Sequence, residues 1–152
     1  MKTIEEEIKQ KEFINIFIKT DVNLLFTSSW LQNEFNRFFK KFSITRQQFN
    51  VLRILRGQHP NAASLGQITE RMVERMSNAT RLVEKLQQKG LVTREINLQN
   101  RRQLDIRITE TGMTLIQKID KVLIADNSPN RYKQVSAEEL ELLNDILNRI
   151  RN

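Results

Sequence analysis

The chain is predicted to be mainly α with one small β-hairpin (α+β), and three features of its 152 residues point there. Before Gly57 there is neither glycine nor proline, so nothing in the first third obviously breaks a helix. Residues 64–109 read in order as a short helix, a turn, a helix with a clean polar face, a glycine stop and two strands around a basic tip. Residues 136–149 return to helical spacing. The middle order is what a winged helix-turn-helix needs to put one helix in a major groove with a hairpin beside it.

The elements follow in turn. Phe13, Phe17, Leu24, Leu31, Phe35, Phe38 and Phe42 recur near helical spacing, with Ile14, Leu25, Phe26 and Trp30 widening the stripe. A helix over 12–42 would run about 45 Å at 1.5 Å per residue. That exceeds the diameter of a small globule, so part of the stripe is expected to meet another subunit. Residues 4–11 form either a separate short helix or a continuation, with Asp21 and Asn23 as an alternative bend. Thr45 is placed as N-cap of a second helix carrying Phe49, Leu52, Ile54 and Leu55, with Gly57 as its stop. Residues 58–63, with Pro60, make a connector. Ser64 and Gln67 form a capping-box pattern opening a third helix over Leu65–Arg71. Ser77 is expected to cap a fourth helix that Gly90 ends, and strand alternation follows over 91–96 and 103–109, with Leu104, Ile106 and Ile108 on one face. Thr109 or Thr111 caps a fifth helix reaching about Asp126. Pro129 lies in a polar linker. Ser136 and Glu139 open a last helix, whose Leu140, Leu143, Ile146, Leu147 and Ile150 make an apolar stripe. The predicted organisation is one intertwined domain: dimerisation helices over 1–44, a winged helix-turn-helix over 45–109, and dimerisation helices over 110–152.

Composition narrows the function classes. With 28% charged and 39% hydrophobic residues the content is that of a globular protein. The absence of cysteine excludes disulfides, thiolate metal sites and thiol redox sensing. No window approaches the roughly 18 apolar residues of a membrane span. The opening M-K-T-I-E-E-E-I lacks an apolar core, so it does not read as a secretory signal and a cytoplasmic location is expected. The net charge of +7 divides into +4 over 1–63, +4 over the shorter 64–109 and −1 over 110–152. A basic middle beside a near-neutral tail suits a module for polyanions flanked by a segment with another task.

At 100° per residue, Ala79, Leu82, Val83 and Leu86 fall in one sector of the fourth helix. Ser77, Arg81, Glu84 and Gln88 lie opposite, with Asn78 and Lys85 on one flank and Thr80 on the other. Arg81 and Lys85 suit guanine edges or phosphate, and Asn78 and Gln88 suit adenine or a phosphate oxygen. Ser77 and Thr80 bring short hydroxyls to a helix N-terminus that favours phosphate. Glu84 fits this face less well: it either accepts from a cytosine amino group or orients Arg81 or Lys85. A plain solvated face is the alternative for this helix taken alone. At the hairpin tip, 97–102, the adjacent Arg101 and Arg102 suit a narrow A·T-rich minor groove, against the alternative of a solubilising turn.

Over nearly its whole length, and most specifically over 64–112, the sequence resembles the MarR family of bacterial transcriptional regulators. The likeness rests on N-A-T-R-L-V-E-K-L-Q-Q-K-G-L-V-T-R and N-R-R-Q-L-D-I-R-I-T-E-T-G. The family's wing usually carries Asp-X-Arg at its tip. Matching that pattern makes Arg102 the inserted residue and puts Asn100 where the acid is expected, so charge assistance from that position is lost. The resemblance implies a homodimer with interlocked terminal helices, reading a near-palindromic site of double-stranded DNA with half-site centres roughly 10 bp apart. It also implies a repressor released by a small aromatic or phenolic ligand, in a pocket among the first, second and fifth helices. Phe26, Trp30, Phe49, Arg53 and His59 lie in suitable stretches, against core or surface roles for each.

Catalysis finds no support. His59 is the only histidine, no metal-spaced cluster or Gly-rich phosphate loop occurs, and no nucleophile has a base partner. No cofactor is implied. The acidic run 5–7 reads as a solvated helical start that complements the dipole. The competing readings are a winged-helix protein–protein adaptor, which would explain Glu84 and the missing wing acid, and a non-specific architectural binder.

Overall fold

A computed structural model describes residues 2–74, 78–125 and 132–152. In chain order the elements are α1 (Ile4–Ile8), α2 (Ile16–Lys40), α3 (Arg46–Gln58), α4 (Leu65–Arg71), α5 (Ala79–Gln88), β1 (Val92–Ile96), β2 (Leu104–Ile108), α6 (Glu110–Ala125) and α7 (Ala137–Arg151). The chain is mostly helical with a two-stranded antiparallel hairpin, as its patterning predicts.

Side-chain caps set where the helices begin. Thr3, Thr45, Ser64 and Ser136 each accept from the N–H three residues on, and Glu6, Gln48, Gln67 and Glu139 return a bond to the cap, so complete capping boxes open α1, α3, α4 and α7. Asn15 caps α2, its Oδ1 accepting from Ile18 N–H at 2.9 Å, which is why the long helix starts later than the apolar stripe suggests. α2 therefore spans about 37 Å, passes through Asp21 and Asn23 unbroken, and leaves α1 as a separate helix. Gly57 does not stop α3: the helix continues through Gln58 and His59 is its C-cap. Thr109, of the two candidate threonines, opens α6, its Oγ1 accepting from Gly112 N–H at 3.1 Å. Pro129 and its linker lie outside the described residues.

The chain forms two compact units, Met1–Met113 and Thr114–Asn152. In the first, α3 is the central element, packing on α2, α4, α5 and β2. Val51, Leu52, Leu55, Ile68, Val83, Leu86 and Ile106 are buried to 1% exposure or less. Each such aliphatic side chain contributes roughly 1.5–3 kcal/mol of transfer free energy. Phe39 is the buried aromatic of α2, its ring 4.7 Å from that of Phe49; it stands one turn from Phe35 and is not among the residues of the stripe drawn from the sequence. Much of that stripe is uncovered: Ile14, Phe17 and Leu25 are 90, 75 and 72% exposed. In the second unit Ile116 and Ile119 are buried, but α7 buries none of its residues and leaves Leu143, Ile146 and Ile150 exposed. Among the described residues no helix is long and apolar enough to cross a membrane.

Candidate nucleic-acid interface

α5 is anchored by its apolar face and held at both ends. Ala79, Val83 and Leu86 are buried and Leu82 is half-buried, as the helical spacing requires. The N-cap is Asn78, whose Oδ1 accepts from Arg81 N–H at 3.1 Å. The cap was expected at Ser77, which lies outside the described residues. Asn and Ser cap equally well, so local propensity did not decide between neighbours. At the other end Gly90 takes φ +68, Gly90 N–H donates to Gln87 O at 2.9 Å and Leu91 N–H to Leu86 O at 3.0 Å. This is a Schellman stop, which only a left-handed residue permits cheaply. It turns the chain straight into β1.

On the outer face Asn78, Thr80, Arg81, Glu84, Lys85 and Gln88 are all exposed. The capping bond engages Oδ1 of the exposed Asn78 and does not use its amide N–H groups. Glu84 does not serve Arg81 or Lys85: its carboxylate pairs with Arg94 Nη1 of β1 at 3.4 Å. The acid therefore ties the helix to the hairpin, a tertiary pairing that sequence spacing does not reveal.

The hairpin register pairs Val92 with Ile108, Arg94 with Ile106 and Ile96 with Leu104. Ala63 adds a single bridge to Ile106, exchanging bonds of 2.9 and 3.0 Å, so the connector before α4 fastens β2 from its other edge. Glu95 and Asp105 face one another across the strands, and Arg107 lies 3.6 and 3.7 Å from their carboxylates, offsetting the repulsion of directly opposed like charges. At the tip Asn97 does most of the folding: its Oδ1 accepts from Gln99 and Asn100 N–H at 2.9 and 2.8 Å, and its Nδ2 donates to Asp105 at 2.9 Å. Asn97 is an Asx-type organiser that the charge pattern alone does not single out. Asn100 Oδ1 accepts from the backbone N–H of Arg102 at 3.2 Å, so it shapes the turn rather than steering the guanidinium. Arg101 and Arg102 are both exposed, and among the described residues no carboxylate pairs with either.

The residues considered for a ligand pocket separate into two depressions. Phe49 and Arg53 belong to a cavity of about 220 Å³ shared with Phe35, Phe39, Met72 and Val73. The Arg53 guanidinium stands 5.9 Å from the Phe49 ring centroid. On the same wall Arg46 and Gln47 both bond Glu74, and Asn50 Oδ1 accepts from Val73 N–H at 3.0 Å, tying α3 to the segment after α4. Phe26 and Trp30 instead line a more polar hollow of about 430 Å³ with Thr3, Glu7 and Asn23, between α1 and α2. His59 is exposed at the end of α3. No group of three or more His, Asp or Glu among the described residues is placed to hold a metal.

Comparison with known proteins agrees with this architecture. The MarR family model matches residues 44–104. The HTH-type transcriptional regulator PapX of Escherichia coli is 28% identical over 89 residues, 59% of this chain, and the chain spans 54% of the length of PapX. A MarR transcription factor from Planctomyces limnophilus superposes with a TM-score of 0.69 at 26% identity, covering 90% of this chain and 98% of that one. The fold also matches a mutant MarR from E. coli complexed with operator DNA, with a TM-score of 0.79 at 19% identity over 92% and 99% of the two chains. Known members of this family are regulators of transcription and not enzymes. In its winged-helix core, its sequence over residues 44–104 and its structural neighbours, the chain is similar to the MarR family of transcriptional regulators.

Proposed function

We propose that the chain is a homodimeric, sequence-specific DNA-binding regulator that represses transcription and is released by a small aromatic or phenolic effector. The observation that carries this reading is the division of α5: its apolar face is buried while Thr80, Arg81, Lys85 and Gln88 stand open beside a wing ending in Arg101 and Arg102. In it, lysine and arginine supply sequence-independent attraction through counterion release, and α5 supplies base discrimination in the major groove. Asn78 takes part through the amide N–H groups its capping bond does not use, Ser77 is assigned to the same end of the helix, and Arg102 enters the minor groove with Arg101 and Asn100 beside it. The similarity to an E. coli protein complexed with operator DNA supports this reading.

Dimerisation is assigned to 1–44 and 110–152, flanking a DNA-binding region over 45–109. The uncovered apolar side chains of α2 and α7 support it, since such stripes bury themselves against a partner. The effector is assigned to the cavity bearing Phe49 and Arg53, whose apolar wall and rim cation suit a ring with a polar group. Its wall includes Glu74, four residues before the α5 cap, so a ligand with unequal affinity for two settings of that segment would shift α5.

Selection of bound duplexes from a random pool tests the proposal. Enrichment of a two-fold symmetric sequence with half-sites about 10 bp apart is expected, and Arg81→Ala should relax it at one position at a cost of about 1–3 kcal/mol. No binding at low salt would leave the adaptor reading in its place, and binding without enrichment the architectural one.

A further inference from the structure

Lys89 sits at the C-cap of α5, outside the face assigned to DNA, and its side chain is already spoken for. Its Nζ donates to the carbonyl of Ser43 and, at 3.3 Å, to Oε1 of Gln48. Neither acceptor is incidental. Gln48 is buried to 2% exposure, and the same Oε1 that receives Lys89 accepts from Thr45 N–H at 3.1 Å in the α3 capping box. Ser43 has φ +56, a left-handed conformation in the corner between α2 and α3. That turn leaves its carbonyl without a helical partner and available to an ammonium from outside.

We propose that Lys89 is a positioning residue: its ammonium latches the end of the recognition helix to the α2–α3 corner and sets the angle at which α5 meets DNA, without itself touching DNA. Two features favour a latch over chance contact. A charge-assisted bond to two converging oxygens is stronger than a neutral one. And Gly90, immediately after Lys89, reverses the chain into β1, so the latch holds the junction from which both reading elements diverge. The corner it grips joins the long helix α2 to α3. Any movement of α2 against α3 therefore pulls on α5 through this bond as well as through packing.

The test has two arms, of which only the second rests on the DNA-binding reading. In the first, wild-type protein without DNA is treated with an amine-acetylating ester and the lysines are followed by mass spectrometry. Lys89 and Lys85 are both exposed, but the ammonium of Lys89 is held by Ser43 and Gln48, so it should react several-fold more slowly than Lys85, and equal rates overturn the latch. In the second, Lys89→Met and Lys89→Arg are titrated with salt against a duplex recovered by selection. Lys89→Met should weaken binding roughly tenfold with an unchanged log–log salt slope, while Lys89→Arg, which restores charged donors, stays within about threefold of wild type. Lys85→Met provides the contrast, flattening the slope by about 0.9 as a lost phosphate contact does. A similar flattening for Lys89→Met makes it a DNA contact, and undiminished affinity makes it idle; either overturns the proposal. Should no duplex be selected, the functional reading falls and the acetylation arm still decides the latch.

Discussion

Gly57 and Gly112 both lie in helices, and the same substitution should have opposite effects at the two positions. An alanine Cβ at Gly112 would stand 2.3 Å from the Leu91 carbonyl oxygen and 2.8 Å from Ile108 Cγ1. A carbon–oxygen contact relaxes near 3.3 Å or beyond, so the first turn of α6 and the root of the wing must part by about 1 Å. That oxygen is not free to yield, because Leu91 O accepts from Thr109 N–H at 3.1 Å just ahead of the helix. Overpacking of this kind costs about 1–3 kcal/mol or more, while the helical preference of alanine returns up to about 1 kcal/mol. Gly112→Ala should therefore lose about 1–2 kcal/mol, lowering Tm by about 2–8 °C at fixed protein concentration. At Gly57 nothing lies within 4 Å of the added carbon, and Gly57→Ala should gain about 0.4–1 kcal/mol. Thermal unfolding of the two variants beside wild type is the assay. A Gly112→Ala protein as stable as Gly57→Ala would refute the close approach of α6 to the wing root.

Three other outcomes are expected. Glu84→Gln releases Arg94 from its 3.4 Å partner and removes a negative charge from the outer face of α5; non-specific duplex affinity should rise, with a log–log salt slope steeper by about 0.9, and an unchanged slope would show that Arg94 cannot reach phosphate. Ile146→Asp puts a charge into the exposed stripe of α7; sedimentation should show at least a tenfold weaker dimer with helix content intact, whereas an unaltered dimer would remove α7 from the interface. Glu5 is held below its ordinary value of 4.5, first by the hydrogen bond from Lys19 and then by a backbone bond. A depressed carboxyl stabilises above its unfolded value and loses that contribution as pH falls through the lowered one. The docking of α1 on α2, reported by amide exchange of α1, should thus weaken below about pH 4.5 in wild type and be flat with pH in Glu5→Gln.

Local rules made much of the fold and of the candidate interface legible. The N-cap at Thr45, the capping boxes at Ser64 and Ser136, the stop at Gly90 and the spacing of Ala79, Val83 and Leu86 depend on residues within four positions of one another, and each appears in the structure as the pattern implies. Charge placement likewise marked the outer face of α5 and the tip of the wing. Long-range pairings were not legible, because nothing in linear spacing says which distant groups meet. Glu84 finds Arg94 on a strand, Lys89 finds an oxygen 46 positions earlier, Phe39 finds Phe49, and Phe26 and Trp30 part company with Phe49 and Arg53. Periodicity told which side of each helix shuns water; only packing in three dimensions chose its neighbours, since one apolar stripe can be buried against many surfaces at similar gain but against a single one in the folded chain.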